Sequence, residues 1–519
     1  MKLLQAKLAK YTAPQEAKAL GIYPYFRAIS SEQDPEVIIN GRKVLMFGSN
    51  CYTGLVNDPR IKEAAIEATR KYGTGCAGSP FLNGTLDLHK QLEARIAEYI
   101  GKEDVMIYST GFGVNLGVVS SLTGREDYIL WDEQDHASII EGRRLSFSQQ
   151  LKYKHNDMES LEKQLQKCDP DKVKLIVTDG VFSMEGDVAN LPKIVELAKK
   201  YNASVMVDEA HSIGVFGHGG RGTCDHFGVT KDVDLIMGTF SKSFASLGGF
   251  IATDKEITNF LRHHSRSYIF TASITPASTA AALKAIDIME QEPERQEKLW
   301  EMTNYALDGF RNMGCEIGNT STPIIPLYIR DNNLTFAITA ELFEEGIFVN
   351  PVVSPAVAPH DTLIRFSLMA THTKEQVTTA LEKIQKVLSF YNLGKSHLCK
   401  IAGISRPALY AWIDGSSEPD TENFAKIEQL YAIARELDVV GNQSIHHGFV
   451  DKALPGESKS LYQLFIENSN LGIDSTKKLI QLAFNKSISR AENIAIRRSS
   501  EFQITHSDAD KELNLERNL

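Results

Sequence analysis

At 519 residues the chain is too long for one ordinary core, and its 42% hydrophobic and 24% charged content is that of a folded protein of two or three domains, not a disordered one. A formal net charge of −10 argues against global attraction to nucleic acid or to an anionic membrane surface. Six scattered cysteines (Cys51, Cys76, Cys168, Cys224, Cys315, Cys399) form no CxxC pair, which fits reduced thiols in a cytoplasmic protein better than a disulfide frame or zinc site. His446-His447 lacks a second ligand pair at metal spacing, so no metal is expected.

The N-terminal run Met1-Lys2-Leu3-Leu4-Gln5-Ala6-Lys7 has an amphipathic helical pattern without the apolar region of a signal peptide. No apolar run is long enough to span a bilayer, so membrane contact is expected to be peripheral at most. From residue 1 to 393 helical patterns alternate with short β-branched runs, as parallel α/β folds require. Val105-Met106-Ile107-Tyr108 reads as a strand, and Thr110-Gly111-Phe112 as the turn into a helix. There free backbone amides and the helix dipole suit a phosphate; a plain strand-to-helix turn is the alternative. His136, in Asp132-Glu133-Gln134-Asp135-His136-Ala137-Ser138, is a candidate to stack on a cofactor ring, against the plainer reading of a surface or core histidine.

Three apolar runs, Leu175-Ile176-Val177, Ser204-Val205-Met206-Val207 and Leu235-Ile236-Met237, end in Asp179-Gly180, Asp208-Glu209-Ala210-His211 and Gly238-Thr239. Ligands gather outside the carboxyl ends of parallel strands, so these ends are candidates for one site. A carbonyl-bearing cofactor needs an amine, an anion cradle, a partner for its ring nitrogen and a group to hold the ring plane. Lys242, in Gly238-Thr239-Phe240-Ser241-Lys242-Ser243, supplies the amine. The hydroxyls of Thr239 and Ser241 reach for a phosphate, and the small residues Ala245, Gly248 and Gly249 permit close backbone approach. Asp208 suits a protonated pyridine nitrogen through a charge-assisted hydrogen bond, and His211 lies within reach of the ring's phenolic oxygen. The same DEAH string is also a helicase box, but no GxxxxGK[ST] loop accompanies it.

The expected domains are an N-terminal arm with a small-lobe segment (1–45), a large cofactor-binding domain (46–290) and a small α+β lobe (291–393). The turn-rich stretch from Gly314 to Ile325, the run Phe366-Ser367-Leu368 and a helix from Thr373 to Tyr391 mark that lobe. A helical module (394–498) and a polar tail (499–519) follow.

In order along the chain stand SNCYTGL (49–55), YGTGCAGS (72–79), NGT (83–85), STGFGVN, DEQDHASI, HND (155–157), DGVFSMEGD (179–187), DEAHSIGVFG, GRG, GTFSKS and MATHT (369–373). With these motifs the sequence up to Leu393 resembles the α-oxoamine synthases, fold-type I pyridoxal-phosphate enzymes that condense an amino acid with an acyl-CoA and lose carbon dioxide. The resemblance implies a large mixed, mostly parallel sheet domain and a small C-terminal α+β lobe. It implies Lys242 as the lysine that carries pyridoxal 5'-phosphate, Asp208 at the pyridine nitrogen, His211 at the phenolic oxygen and His136 stacked on the ring. Gly111, Phe112, Thr239 and Ser241 hold the phosphate, and Ser183 lies beside the ring. The family's dimers share their sites, so a homodimer is implied, with Thr271 reaching the neighbouring subunit's phosphate. Arg365, just before MATHT, matches the arginine that pairs with the amino-acid carboxylate, a role suited to a bidentate fork, against a surface salt bridge.

The stretches 21–27, 45–50 and 145–157 are most similar to the bacterial branch that joins L-serine to a long-chain acyl-CoA such as palmitoyl-CoA. Glycine-using relatives (2-amino-3-ketobutyrate CoA ligase, 5-aminolevulinate synthase) and the alanine-using 8-amino-7-oxononanoate synthase share the catalytic motifs. One departure stands out: the family usually continues GS with arginine, whereas here Ser79 is followed by Pro80 and Phe81, which removes a charge and a backbone donor. An ordinary aminotransferase fits the cofactor residues but not the motif order.

From His397 to Trp412 the run HLCKIAGISRPALYAW has the shape of a helix-turn-helix, with a turn at Gly403, Ser405 as cap and Pro407 in the first turn. In such domains Ser405, Arg406 and Tyr410 face the major groove. Asp414, Glu418, Asp420, Glu422 and Glu428 crowd the following segment, where phosphate contacts favour cations, so residues 394–440 read equally as a DNA reader and as a protein-docking or oligomerisation unit. A transcription regulator built on an enzyme-like ligand domain is the reading from another class.

Overall fold

The structure, a computed structural model, describes residues 2–19, 21–358 and 360–391. The helix-turn-helix reading with Ser405, Arg406 and Tyr410, and the polar tail, lie outside the described residues. The chain falls into two units, Met1–Tyr23 with Ile384–Leu519, and Pro24–Lys383. In the first, the described residues include two short helices, Leu3–Leu8 and Ala13–Ala19, neither with a buried residue. Among the described residues no helix is long and apolar enough to cross a membrane.

Seven strands of the second unit form its main sheet: β1 (Asp104–Tyr108), β2 (Tyr128–Asp132), β3 (Gln149–Tyr153), β4 (Lys174–Asp179), β5 (Ser204–Asp208), β6 (Leu235–Thr239) and β7 (Gly249–Thr253). Their order is β1-β7-β6-β5-β4-β2-β3. The run from β3 to β6 is parallel, and β7 lies antiparallel to both β6 and β1. Interior strands β4, β6 and β7 are buried at every position, which is why they read as unbroken apolar runs and not as alternating ones. Side chains still alternate between faces. Ile176 joins one hydrophobic core with Val205 and Val207, while Leu175, Val177 and Met206 join the core on the opposite face.

This arrangement puts the carboxyl ends of β2, β4, β5 and β6 on one edge, where Asp132, Asp179, Asp208 and Thr239 are the terminal residues. Asp179 stands directly opposite Asp208 in the ladder, and Asp208 opposite Met237. Helix α1 (Gly111–Leu122) leaves the same edge after β1, and α2 (Ala137–Leu145) after β2.

Two three-stranded sheets complete the unit. Glu36–Ile39, Arg42–Met46 and Ile347–Phe348 make one; Leu363–Ser367, between Ile324–Tyr328 and Asn350–Val352, makes the other. The central strand Leu363–Ser367 is buried throughout, and it carries Arg365 opposite Pro326 on one side and Asn350 on the other. A buried arginine at the centre of a sheet needs hydrogen-bond partners for every donor it hides.

Candidate active site

One cavity of about 260 Å³ opens on the carboxyl edge of the main sheet. At one end α1 begins. Thr110 is its cap, its Oγ1 accepting from the Gly113 N–H at 2.9 Å. The amides of Gly111 and Phe112, in the first turn, have no partner within the helix and are free for an anion. Gly111 packs so closely on β6 that a Cβ there would lie 2.6 Å from Thr239 Oγ1. That hydroxyl lies 3.0 Å from Ser241 Oγ, so two amides and two hydroxyls converge.

At the other end Asp208 is 2% exposed. Its Oδ2 accepts from Asn115 Nδ2 at 2.6 Å and its Oδ1 from the Ala210 N–H at 2.9 Å. Asn115 Nδ2 also donates to Ser138 Oγ at 2.8 Å, while its buried Oδ1 has no protein partner. His136 caps α2, with Nδ1 2.7 Å from Ser138 Oγ and its backbone N–H donating to Asp179 Oδ2 at 2.8 Å, and partial burial of its ring lowers its pKa. Lys242 keeps some surface open to the cavity, yet the surrounding protein solvates its charged form poorly. Its pKa falls to about 8 despite the nearby carboxylates of Asp208 and Asp179, and the Arg365 charge adds to the fall. Burial raises Asp179, and the Asp208 charge raises it further.

A third group joins the main sheet's edge to the strand Leu363–Ser367. Tyr52 is fully buried; its Oη lies 2.7 Å from His211 Nδ1 and accepts from Arg365 Nη2 at 3.1 Å. Burial, together with the charges of Lys242 and Arg365, pushes His211 well below its ordinary pKa, so its ring is neutral. With the guanidinium donating to Oη, the tyrosine proton points to Nδ1 and the histidine carries its own proton on Nε2. Arg365 Nε donates to the Ser183 carbonyl at 2.7 Å and Nη1 to Ser367 Oγ at 2.5 Å. Its partners are a carbonyl and two hydroxyls, and among the described residues it forms no salt bridge. A buried cation without a carboxylate is poised to take one from a ligand.

Gly111, Phe112, His136, Asp208, His211, Thr239, Ser241 and Lys242 thus line a single cavity. Neither Ser183 nor Arg365 lines it; Ser183 meets Arg365 through its carbonyl, and Arg365 reaches the cavity-lining His211 through Tyr52. Thr271 is exposed and borders a separate recess of about 20 Å³ with Pro80 and Ser109. Sequence reasoning gave no role to Tyr52 or Asn115. A signal existed for Asn115, four residues after Gly111 and so on the same face of an otherwise apolar helix. Tyr52 stood in SNCYTGL without any indication that a histidine 159 residues away would meet it.

Residues 42–384 match the family described as aminotransferase class I and II. A serine palmitoyltransferase of Bacteroides thetaiotaomicron is 65% identical over 393 residues, 76% of this chain and the full length of that protein. The chain belongs to the α-oxoamine synthases of that family. Among solved structures, a serine palmitoyltransferase from S. paucimobilis with a bound PLP–myriocin aldimine has a TM-score of 0.73 and 33% identity, covering 75% of this chain and 98% of that one. An 8-amino-7-oxononanoate synthase of Petrotoga mobilis matches at 44% over 71% of this α-oxoamine synthase and 94% of its own length. The cavity fits the family's pyridoxal phosphate. Its lining offers an anion cradle of two amides and two hydroxyls, a buried carboxylate, an imidazole and an amine.

Proposed function

We propose that this enzyme joins L-serine to a long-chain acyl-CoA, palmitoyl-CoA being the best match, releasing CoA and carbon dioxide and leaving the 2-aminoketone 3-ketosphinganine. The observation that carries the chemistry is Lys242, an amine depressed to about 8 in the same cavity as Asp208 and within the field of a buried arginine. The choice of serine rests on the relatives, since the identity to a serine palmitoyltransferase far exceeds that to an 8-amino-7-oxononanoate synthase.

Pyridoxal phosphate, when bound, supplies an aldehyde for an amine and a ring that accepts electron density. The amides of Gly111 and Phe112 with the hydroxyls of Thr239 and Ser241 would hold its phosphate, Asp208 its ring nitrogen and His211 its ring oxygen, with His136 over its face; Ser183, outside the cavity's lining, would act through Arg365. Lys242 anchors the group until the amino acid arrives; its amine then takes the α-proton, which a lysine of ordinary pKa, protonated at neutral pH, does poorly. Arg365 holds the carboxylate that is finally lost. A homodimer with shared sites is part of the same reading, and the exposure of Thr271 outside its own chain's cavity supports it. So is a cytoplasmic location with at most peripheral membrane contact. Residues 394–440 as a DNA reader or docking unit rest on sequence alone, and a gel shift with the full chain tests that part.

The enzyme is tested by incubating it with serine, glycine or alanine plus palmitoyl-CoA and following free CoA together with cofactor absorbance. Release with serine well above the other two is expected. No release with any pair overturns the synthase reading, and preference for glycine or alanine overturns the substrate.

A further inference from the structure

Behind the cavity wall, His155 of the HND stretch lies between two carboxylates: Nδ1 is 2.9 Å from Asp132 Oδ1 and Nε2 is 2.8 Å from Asp187 Oδ2. Ionised carboxylates only accept, so both ring nitrogens carry protons and the ring is an imidazolium. Burial alone favours the neutral ring, but the bonds to Asp132 and Asp187 outweigh it and raise the pKa to about 10. The other charged groups facing His155 are acidic: Glu133 accepts from its backbone N–H at 3.1 Å, and Glu185 lies near enough for their charges to interact. The ring also stands edge-on to Phe182, with centroids 4.4 Å apart.

The two carboxylates belong to different loops, one running to the cavity-lining His136 and the other carrying Ser183, which holds Arg365. Asp132 ends β2 and opens the loop to His136. Asp135 Oδ2 accepts from the Asp132 N–H at 2.9 Å and Asp135 Oδ1 from the Asp179 N–H at 3.1 Å, and Asp179 in turn receives the His136 N–H. Asp187 closes the loop that carries Ser183: the Phe182 N–H donates to the Asp187 carbonyl at 3.0 Å, and the Ser183 carbonyl holds Arg365. Asp132, Asp135 and Asp179 are all buried, and among the described residues His155 is the cation hydrogen-bonded to one of them, Asp132. Removing a buried counter-charge leaves its partners uncompensated, which forces the loops to move or the acids to take up protons.

We infer that His155 is a positioning residue: a charged clamp that ties the His136 loop to the Ser183 loop and so sets the spacing between the ring-covering imidazole and the carboxylate-binding arginine. This rests on the reading of the cavity given above. The test uses holoenzyme carrying His155→Gln, which loses the charge and can donate to only one of the two carboxylates, and measures cofactor absorbance, its visible circular dichroism and the L-serine dissociation constant by spectral titration. Expected are retained cofactor absorbance, an altered dichroic band and serine affinity weaker by about tenfold; in a His136→Ala background the same change adds less than about threefold, because the two residues act as one unit. Serine affinity within about twofold of wild type, or an undiminished effect in the His136→Ala background, overturns the clamp. Asp187→Asn, at the more exposed end, is the second variant should His155→Gln not fold. A serine affinity lowered by about threefold or more supports the proposal, and a smaller change overturns it. Wild-type holoenzyme that fails to bind L-serine at all overturns instead the functional reading beneath it.

Discussion

At one end of the cavity the donors come from neighbouring residues, Thr110 to Phe112 and Thr239 to Ser241, and half of them are backbone amides. At the other end they come from side chains far apart: Asn115 with Asp208, 93 residues away, and Tyr52 with His211 and Arg365, 159 and 313 residues away. The difference lies in what each end asks of the fold. A backbone cradle needs only a capped helix and a close strand, whereas the distant side chains need two sheets in register. The first end is therefore expected to tolerate substitution of individual side chains and the second is not.

Lys242 supplies the amine in the cavity's lining, so its loss should be the most severe. Lys242→Ala is expected to lower CoA release with L-serine and palmitoyl-CoA by about 10³-fold and to abolish the absorbance of lysine-linked cofactor; an unchanged band would mean that another lysine carries the group. The depressed pKa adds a pH test. Only the neutral amine is nucleophilic, so the rate at which apoprotein captures pyridoxal phosphate should rise with pH, level off above about 8, and fall roughly tenfold per unit below it. A midpoint near the ordinary lysine value would contradict the environment described for Nζ.

At the side-chain end, Arg365→Lys keeps the charge but loses the fork. The KM for serine should rise about 30-fold, equivalent to ~2 kcal/mol of charge-assisted hydrogen bonding, with cofactor absorbance unchanged. The smallest effect belongs to the backbone end: Thr110→Ala removes a helix cap and should cost about 1 kcal/mol of stability in thermal or denaturant unfolding. Serine affinity should stay within about twofold there, since the amides of Gly111 and Phe112 remain. If the cap variant weakened serine as much as the arginine variant, the contrast between the ends would collapse.

The same contrast explains what could be read in the sequence. Asp208, His211, Thr239 and Lys242 follow short apolar runs that alternate with helical patterns, so their gathering at one edge was legible from pattern and from the family's motifs. Thr110-Gly111-Phe112 was legible as a strand-to-helix turn for the same reason. The partners of these residues were not. Asn115 and Tyr52 sat in quoted motifs without a role, because a hydrogen bond between residues tens or hundreds of positions apart leaves no periodic trace. His155 was visible only as part of HND; that two carboxylates flank its ring depends on β2 and β4 being neighbours while β3 lies beyond them at the edge. The insertion of β7 antiparallel between β1 and β6 was equally hidden, since a fully buried strand reads alike in either direction.

The separation of Tyr52 from Arg365 has a consequence for how the protein is made. Translation delivers the amine at 242 and the acid at 208 more than a hundred residues before the strand Leu363–Ser367 exists. A nascent or prematurely ended chain can therefore own the proposed reactive lysine yet lack the arginine proposed to receive the substrate's carboxylate. With the role proposed for Arg365, amino-acid capture needs a polypeptide synthesised nearly to the end of Pro24–Lys383.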